Sequence, residues 1–535
     1  MTDKKAAQLS RRNFLKGSAV GSTVAMGLPL KAISKPAPKR LAAEDREVII
    51  VGSGFGGAIT AHRLTEAGIA CTVIEKGKKW PISSGKNRTF SKNLPADGRS
   101  TWLSNRTSVP LGPQLPVNRY TGVLQRREKG RFKIMSGAAY GGGSITYGGI
   151  LAKPDAKLFA KVFPKQISFE QLQPFYTRVA EKLSRSCLPE DLLNSKYYKH
   201  VRVTKNHAEK AGIKTEDIPT ATNWDVVRKE VNGEIPPSVI HGEAIYGVNS
   251  GAKATLDSSY LREAENTGLM EVKTLHRVTL LSQLTDGRFH LELEEIDEKG
   301  QVIALKTFFA KKVFLSAGTM GTTEILVKAK AKGWLNMLNE EVGKGFGNNG
   351  NVYALRLGIK EPLGRWQGGP PSIGLVDFHN DKTPVFIEHP QLPLGLDFRG
   401  LIHFGIGITP TRGRFEYNTK TDAVELIWPK QDKGQELVNA VVVKVLKKLN
   451  KANGGFLSGI LTLFKKKVKD DAVYHPLGGM VIGNATDFFG RVKNYDGLYI
   501  NDGSLMPGSS ACTNPSFTIS AIAERNIEKI IAEDF

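Results

Sequence analysis

The hydrophobic pattern near the start of the chain predicts a strand, a helix and a second strand in close succession. Residues 47–51 are mostly apolar, a helical pattern runs to residue 68, and a second apolar run, residues 71–74, ends at Glu75. Short runs rich in Val and Ile and bounded by glycine are typical of buried strands. The spacing therefore predicts a βαβ unit of about 30 residues.

The turn between the first strand and the helix carries the motif Gly-x-Gly-x-x-Gly, and Phe55 lies within it. Gly52 permits the tight turn, Gly54 lets the backbone approach a pyrophosphate, and Gly57 lets helix and strand pack closely. The helix N-terminus offers free N–H groups and a positive dipole end to phosphates. Glu75 would accept hydrogen bonds from ribose hydroxyls and disfavour a 2′-phosphate. The motif predicts a dinucleotide site, but it does not separate FAD from NAD because both contain ADP.

Three later segments are predicted to approach the same ligand. In residues 135–149, small side chains would let the backbone lie flat against a large planar ring. Residues 313–322 form a predicted strand, turn and helix, and residues 497–504 form a strand and turn. This third segment also includes Asn514 and Pro515, which open a helix that runs to about residue 531. If the ligand is a flavin, the N-terminus of this helix would favour the negative charge that develops on the ring when it is reduced.

Length and composition limit the classes of protein that the sequence can encode. With 535 residues the chain exceeds what one hydrophobic core usually serves, so two domains, or one large domain with an inserted partner, are expected. Hydrophobic residues make up 40% and charged residues 24%, as in ordinary globular proteins. The net charge is +23, but no nucleic-acid-binding pattern is present, so no nucleic-acid partner is expected. The three cysteines are widely spaced, and neither a disulfide framework nor a metal site is predicted.

The N-terminal residues are typical of a twin-arginine export signal. Arg11 and Arg12 precede Phe-Leu-Lys and a mildly apolar stretch, residues 17–30, that is too short to span a bilayer. Residues 1–43 are therefore predicted to be signal and linker, with the Tat translocase as a partner and a periplasmic or secreted location. No clean cleavage site is evident.

Residues 460–469 combine an apolar half with a run of lysines. Such a segment could contact anionic lipid at a membrane surface. The alternative is an ordinary helix with a solvated basic end, because charge runs usually are solvated. No later run of 18 apolar residues exists, so the mature protein is expected to be soluble or peripheral.

Taken together, these segments resemble the glucose-methanol-choline flavoprotein oxidoreductases, and within them the bacterial cholesterol oxidases with noncovalent FAD. The resemblance extends from about residue 48 to residue 531. Besides the glycine motif, it rests on four further blocks in family order: residues 99–112, 341–351, 474–479 and 502–509.

The resemblance implies an α/β FAD-binding Rossmann-like domain interleaved with an α+β substrate domain built on a mainly antiparallel sheet. The FAD-binding domain would comprise residues 44–185, 254–342 and 490–535. The substrate domain would comprise residues 186–253 and 343–489. The cofactor implied is noncovalent FAD.

Three residues would carry the chemistry. Oxidation of an alcohol requires an orienting base or acceptor for the hydroxyl proton, and His475, before a Pro-Leu-Gly-Gly turn, is predicted to fill this role. The resemblance implies that Asn514 contacts the same hydroxyl and stabilises the reduced flavin. Glu388 lies among apolar residues, where desolvation would raise its pKa and make it a usable base. The resemblance assigns it the proton transfer that isomerises a 5-en-3-one to a 4-en-3-one.

The remaining site residues are given by the motif or by the resemblance. The residues predicted to contact FAD are Gly52, Gly54, Phe55, Gly57, Glu75, Gly142, Gly143, Ser144, Gly148, Val278, Asp502, Asn514 and Pro515. The residues predicted to contact substrate are Phe386, Ile150 and Tyr147. Tyr147 and Ile150 depart from the Asn and Met of the steroid oxidases, and Met480 stands where those have Cys.

The predicted function is FAD-dependent oxidation of a 3β-hydroxysteroid to the 3-ketone, with oxygen reduced to hydrogen peroxide and isomerisation of the product. One alternative is an oxidase or dehydrogenase of the same family that acts on another hydrophobic alcohol with a different electron acceptor. An alternative of another class is a noncatalytic flavin- or lipid-binding protein. The presence of His475, Asn514 and Glu388 together counts against that second alternative.

Overall fold

The computed structural model describes residues 37–108, 114–378, 383–458 and 471–535. Residues 39–535 form one compact unit. The predicted export signal around Arg11 and Arg12 lies outside the described residues, and so does the predicted lipid-contact segment, residues 460–469. None of the helices in the described part of the chain is long and apolar enough to cross a membrane.

The described residues contain strands from four sheets. The strands are β1 Lys39–Arg40, β2 Glu44–Val51, β3 Cys71–Ile74, β4 Leu124–Lys129, β5 Phe132–Gly137, β6 Lys214–Asp217, β7 Met270–Lys273, β8 His276–Gln283, β9 Phe289–Ile296, β10 Val302–Leu315, β11 Lys344–Phe346, β12 Val352–Leu357, β13 Ile373–Asp377, β14 Val385–Glu388, β15 Leu401–Gly407, β16 Gly413–Asn418, β17 Ala423–Ile427, β18 Phe456–Leu457, β19 Asp471–Val473 and β20 Leu498–Ile500.

Helices connect and cover these strands. The α-helices are α1 Phe55–Glu66, α2 Gly143–Thr146, α3 Ala156–Val162, α4 Gln173–Lys182, α5 Glu190–Leu193, α6 Lys199–Lys210, α7 Trp224–Asn232, α8 Tyr260–Asn266, α9 Gly318–Ala331, α10 Lys433–Asn453 and α11 Ser516–Asp534. Short 3₁₀ turns occur at Gly98–Ser100, Lys196–Tyr198, Val239–His241, Leu256–Ser258 and Gly503–Leu505.

The largest sheet contains the βαβ unit that the sequence predicts. Its strand order is β7-β3-β2-β10-β9-β8, and β1 and β20 also pair with β10. Strands β7, β3, β2, β10 and β20 run parallel, whereas β9 is antiparallel to both β10 and β8. Ile49 and Ile50 are fully buried, because a parallel strand is covered on both faces.

The second large sheet is antiparallel, with strand order β18-β12-β15-β14-β13-β6. Helix α10 covers one face of it, where Val438 and Val442 pack against Val352 and Ile387 in one buried cluster. Glu388 lies opposite Phe404 on the neighbouring strand β15. A parallel Rossmann-like sheet beside a mainly antiparallel sheet confirms the predicted fold class.

Two three-stranded sheets complete the architecture, with orders β11-β16-β17 and β19-β5-β4. Strand β19 ends just before His475 and pairs with β5, which leads into the glycine-rich segment at residues 137–149. The strands of the six-stranded sheet all come from the segments predicted as the substrate domain. The exact domain boundaries stay a prediction.

Candidate active site

The glycine motif forms a narrow turn between β2 and α1. Gly52 has φ +101°, and a Cβ there would lie 2.3 Å from the carbonyl oxygen of Ser316. A Cβ at Gly57 would lie 2.0 Å from the carbonyl oxygen of Gly52, so helix and strand meet at a distance that only glycine permits. Gly54 differs, because no atom lies within 4 Å of its added Cβ. The turn is therefore tightly packed at Gly52 and Gly57, and it leaves open space at Gly54, beside the N-terminus of α1.

A second glycine-rich segment packs directly against this opening. A Cβ at Gly142 would lie 2.6 Å from Cα of Gly54, and Gly143 faces the ring of Phe55. Helix α2 begins at Gly143, so two helix N-termini border the same space. Free N–H groups and positive dipole ends at this point suit a pyrophosphate. The arrangement fits the phosphate part of a dinucleotide.

Glu75 lies at the end of β3 and is buried. Its Oε2 accepts hydrogen bonds from N and Oγ of Ser53, at 3.1 and 2.7 Å, and its Oε1 accepts from N of Gly77 at 2.7 Å. Ser53 Oγ in turn accepts from N of Gly141 at 3.1 Å. Oε1 accepts only one of these hydrogen bonds, so it can still accept from a ribose hydroxyl. Ser53, which sequence reasoning missed, joins the two glycine segments.

Val278 and Asp502, which are also predicted to contact FAD, lie outside the two glycine-rich segments. Val278 lies on β8, two residues beyond His276, whose N–H donates to the carbonyl of Glu75 at 3.0 Å. Asp502 is buried, and its carboxylate accepts from N of Gly318 at 2.9 Å, from Thr322 Oγ1 at 2.5 Å and from N and Oγ of Ser504. Asp502 therefore fixes the start of α9 and the turn after β20 through the chain's own donors.

Residues 253–256 hold part of the segment at residues 135–149, which is predicted to face the planar ring of the cofactor. Ser144 Oγ donates to the carbonyl of Gly141 at 2.7 Å and accepts from N of Leu256 at 3.0 Å. Tyr147 donates from Oη to the carbonyl of Ala254 at 3.0 Å. A Cβ at Gly148 would meet only side-chain atoms, at 3.7 Å or more, so one face of this segment is lightly covered.

An apolar cluster lies beside this segment, between it and the antiparallel sheet. Its buried members are Ile150, Ile218, Val376, Phe386, Phe404 and Ile406, and the partly buried Ala152, Tyr353, Phe378 and Tyr474 pack against them. The predicted substrate residues Phe386 and Ile150 both belong to this apolar cluster. Tyr147 lies apart from it, edge-on to Phe55 with ring centroids 5.5 Å apart.

Glu388 and Asn514 meet at the edge of the apolar cluster. Asn514 donates from Nδ2 to Oε1 of Glu388 at 3.3 Å, and the two residues are 7% and 3% exposed. Burial raises the pKa of Glu388 to about 8, and the Asn514 hydrogen bond opposes that rise. Among the described residues, Oε2 of Glu388 and Oδ1 of Asn514 find no partner. Two buried oxygens are therefore available to a substrate.

Asn514 is fixed by the start of helix α11. Pro515 occupies the N-cap position, and Ser516, the first helical residue, donates to the carbonyl of Ile150 at 3.0 Å. The helix runs to Asp534, slightly beyond the predicted end. This contact joins the helix N-terminus to the apolar cluster.

His475 is held by two asparagines that sequence reasoning missed. Its Nδ1 lies 3.3 Å from Nδ2 of Asn349 and 3.1 Å from Nδ2 of Asn351. The amide orientations follow from their other partners, because Oδ1 of Asn349 accepts from N of Ser510 at 2.8 Å and Oδ1 of Asn351 accepts from N of Tyr474 at 3.3 Å. Both asparagines therefore donate to Nδ1.

This arrangement determines the tautomer of His475. A nitrogen that accepts from two amides carries no proton, so the ring proton lies on Nε2. Desolvation lowers the pKa of His475 to about 3, so the imidazole is neutral at neutral pH. The centroid of its ring lies 5.4 Å from the centroid of the Phe404 ring. Phe404 is the residue that pairs with Glu388 across strands β14 and β15. The geometry makes His475 a hydrogen-bond donor, whereas the sequence argument predicted an orienting base or acceptor.

The sequence contained a signal for these asparagines. Asn348, Asn349 and Asn351 stand together in a block that supports the family resemblance. Asn349 has φ +56°, a left-handed conformation that asparagine adopts more readily than most residues. Asn349 also donates to the carbonyl of Thr513 at 2.9 Å. It therefore links His475 to the turn that carries Asn514.

Comparisons with known proteins agree with this geometry. Residues 349–464 match the family model described as GMC oxidoreductase, C-terminal, residues 412–523 match GMC oxidoreductase, and residues 50–97 match an NAD(P)-binding Rossmann-like domain. A cholesterol oxidase of Acinetobacter baumannii is 25% identical over 91% of this chain and 95% of its own. A cholesterol oxidase of Mycobacterium tuberculosis strain H37Rv is 24% identical over 90% of each chain.

Two solved structures share the fold at low sequence identity. The pyridoxine 4-oxidase of Mesorbium loti has a TM-score of 0.61 and 13% identity over 91% of this chain and 99% of its own. A fungal aryl-alcohol oxidase has a TM-score of 0.62 and 13% identity over 92% of this chain and 99% of its own.

The fold, the site and the matches together define an oxidoreductase that acts on alcohols. Residues 349–523 match the GMC oxidoreductase family models, and over most of its length the chain is similar to cholesterol oxidases. Oxidoreductases of this family with a Rossmann-like domain are typically FAD flavoproteins, and the glycine-lined opening at Gly54 fits the phosphates of that cofactor.

Proposed function

We propose that the protein is an exported oxidase that converts a 3β-hydroxysteroid to the 3-ketone with noncovalent FAD and oxygen, and isomerises the product. The observation that carries the proposal is the position of Glu388: a buried carboxyl at the edge of the apolar cluster, with Oε2 unpartnered among the described residues. A base embedded in apolar surroundings suits proton transfer on a hydrophobic substrate. The similarity to cholesterol oxidases supports the same substrate class.

The cofactor and the chain's residues would divide the chemistry. Bound FAD supplies the acceptor for the hydride that leaves the alcohol carbon. The residues that would hold its ADP half are Gly52, Gly54, Gly57 and Glu75, with Gly142 and Gly143 at the phosphates. We find no residue in these blocks that must be a covalent tether, which supports noncovalent binding.

His475 would orient the substrate through its Nε2–H. Because Nδ1 already accepts two hydrogen bonds, Nε2 donates to the hydroxyl oxygen and cannot take its proton. Oδ1 of Asn514 has no partner among the described residues, so it can accept a hydrogen bond from the substrate hydroxyl. The two side chains would thus fix the oxygen and the direction of its proton.

Glu388 is the group that would accept protons. With a pKa raised to about 8, it exchanges protons readily near neutral pH. The hydroxyl proton would be released to solvent water, since His475 cannot take it. The proton that Glu388 would take is the one on C4 of the 5-en-3-one, which it would return to C6.

The most informative experiment mixes purified holoprotein with cholesterol without oxygen and follows the flavin absorbance. Bleaching, followed by peroxide formation on admission of oxygen, is the expected result. A matched sample with a long-chain primary alcohol tests the alternative substrate class. If only the long-chain alcohol bleaches the flavin, the substrate is not a steroid. If the flavin colour returns only when an electron carrier is added, the electron acceptor is that carrier and not oxygen. No bleaching by any alcohol would favour a noncatalytic flavin- or lipid-binding protein.

Localisation is part of the proposal. The twin arginines and the weakly apolar stretch after them support export through the Tat translocase, and a peripheral contact with membrane lipid would bring the enzyme to its sterol. Replacement of both Arg11 and Arg12 by Lys should retain the protein in the cytoplasm, as measured by cell fractionation. Unchanged export of that variant would contradict the assignment.

A further inference from the structure

Lys253 is a buried lysine at the site that the proposed chemistry does not use. It is 8% exposed, and its Nζ donates to the main-chain carbonyls of Ile145 at 2.7 Å, Tyr147 at 3.0 Å and Ala244 at 3.2 Å. An ammonium has three N–H donors, so these carbonyls use all of them. Within the described part of the chain, Lys253 forms no ion pair with a carboxylate.

The residues after Lys253 add contacts to the same segment. Ala254 accepts from Oη of Tyr147 at 3.0 Å, and Leu256 donates from N to Oγ of Ser144 at 3.0 Å. Nζ of Lys253 also lies 5.4 Å from the centre of the Tyr147 ring. Residues 253–256 thus fasten residues 144–147, which directly follow Gly142 and Gly143 beside Gly54 and Phe55.

We propose that Lys253 is a positioning residue for the cofactor: its ammonium holds the carbonyls of Ile145 and Tyr147 so that the segment keeps the shape that FAD requires. This inference rests on the proposed FAD site. A neutral amine has only two N–H donors and a lone pair, so deprotonation would turn a lone pair toward a carbonyl oxygen. Lys253 would then lose one of its three hydrogen bonds, and its lone pair would repel the carbonyl oxygen that it faces.

The surroundings of Lys253 put this change within the ordinary pH range. Burial lowers the pKa of Lys253 to about 7, and the charge of Asp257 in the Leu256–Ser258 turn opposes the shift. The pKa of Asp257 is itself raised by burial, which weakens that support. Two other segments contact Lys253. In the segment of Ile145 and Tyr147, burial raises the pKa of the Tyr147 phenol. In the segment of Ala244, the neighbouring carboxylate of Glu243 accepts hydrogen bonds from Arg88 and Ser238.

The test measures the dissociation constant of FAD for apoprotein between about pH 6 and pH 9, for wild type, Lys253→Met and Lys253→Arg. Lys153→Met is the matched control, because Lys153 is exposed and donates to Gln173 instead. We expect Lys253→Met to bind FAD about 10- to 100-fold more weakly at pH 6, the range for losing a charged hydrogen-bonding group. Wild type should weaken as pH rises through about 7, and Lys253→Met should show no such trend.

Lys253→Arg separates charge from packing, because guanidinium stays protonated across the whole range. We expect it to recover part of the affinity and to bind equally at both ends of the pH range. Thermal unfolding of each apoprotein shows whether a variant is folded. Equal affinity of Lys253→Met and wild type, or an identical pH trend, would overturn the inference alone. Failure of wild type to bind FAD would overturn the proposed function as well.

Discussion

Asn514 donates from Nδ2 to Oε1 of Glu388 across 3.3 Å, which joins the residue before Pro515 to the last residue of strand β14. The bond leaves one buried oxygen on each side chain without a partner among the described residues. Buried polar atoms are rarely left unpaired. This pair therefore marks the point where a substrate hydroxyl would be received.

Glu388→Gln should separate oxidation from isomerisation. Gln keeps the size and can still accept from Asn514, but it cannot take the proton from C4. We expect isomerisation to fall by about 100-fold or more, the usual range for loss of a positioned base, while oxidation falls less and the 5-en-3-one accumulates. The measurement compares conjugated-enone absorbance with peroxide formation. If the two rise together in the variant as in wild type, Glu388 is not the isomerisation base.

His475→Ala and Asn514→Ala should each slow flavin reduction while leaving FAD bound. Both residues act on the reacting hydroxyl, whereas the predicted ADP contacts lie at Gly54 and Glu75. The expected loss is about 10²-fold, as for removal of one orienting or electrostatic group. Stopped-flow bleaching of the flavin without oxygen measures it. His290→Ala, on strand β9, is the control, and wild-type reduction by either active-site variant would remove that residue from the mechanism.

Asn351→Asp tests the tautomer of His475. The amide now donates to Nδ1 at 3.1 Å, but a carboxylate can only accept, so the proton would move to Nδ1 or the ring would become charged. We expect the pKa of His475 to rise. In the neutral tautomer that carries its proton on Nδ1, Nε2 loses its donor role, so flavin reduction at neutral pH should slow by about 10-fold or more. Asn351→Gln, which retains a donor, should be milder. Identical pH profiles of reduction for Asn351→Asp and wild type would contradict the tautomer assignment.

Local spacing was sufficient to predict the βαβ unit, because Gly52, Gly54 and Gly57 lie within one turn and constrain each other. The resemblance to a family supplied His475, Glu388 and Asn514. Neither source gave the hydrogen-bonding state of the imidazole. That state depends on amides at Asn349 and Asn351, which lie 126 and 124 residues before His475 in the chain. Only the packing of separate strands brings these groups together.

Lys253 illustrates a second limit of sequence reasoning. It is one of 75 lysines and arginines, and nothing in its local pattern marks it as buried. Its role depends on three main-chain carbonyls, two of them 108 and 106 residues before it and one nine residues before it. Every residue has such a carbonyl, so the sequence does not show which ones Lys253 contacts. The separation of Tyr147 from the apolar cluster has the same cause, since a bond to the backbone of Ala254 directs its side chain.

Noncovalent binding of FAD predicts that acid precipitation releases the cofactor. The residues that border the opening at Gly54 are glycines, Ser53 and Phe55, which supply main-chain hydrogen bonds and close approach. We expect the yellow colour in the supernatant and a colourless pellet. Colour that stays with the pellet would show a covalent tether. A protein that purifies colourless, ignores added FAD and binds NAD would contradict the flavin assignment itself.

A pair of buried histidines should make stability fall in acid. His389 and His403 pack with ring centroids 4.5 Å apart, and burial lowers the pKa of His389 to about 3 and that of His403 well below its usual range. The folded state therefore keeps both rings neutral, whereas the unfolded chain takes up protons below about pH 6.5. Unfolding is then favoured as pH falls from about 6.5 toward 3, by about 1.4 kcal/mol per pH unit for each histidine.

His403→Leu should reduce by one the number of protons that the chain takes up when it unfolds in acid. The measurement is Tm as a function of pH between about 7 and 4, because the slope reports the difference in protons bound. We expect the variant to lose less Tm per pH unit than wild type, even if the substitution costs stability at neutral pH. His290→Gln, on strand β9 between β10 and β8, is the matched control and should keep the wild-type slope. A His403→Leu slope equal to that of wild type would show that His403 binds as many protons in the folded state as in the unfolded state, which would contradict the lowered pKa.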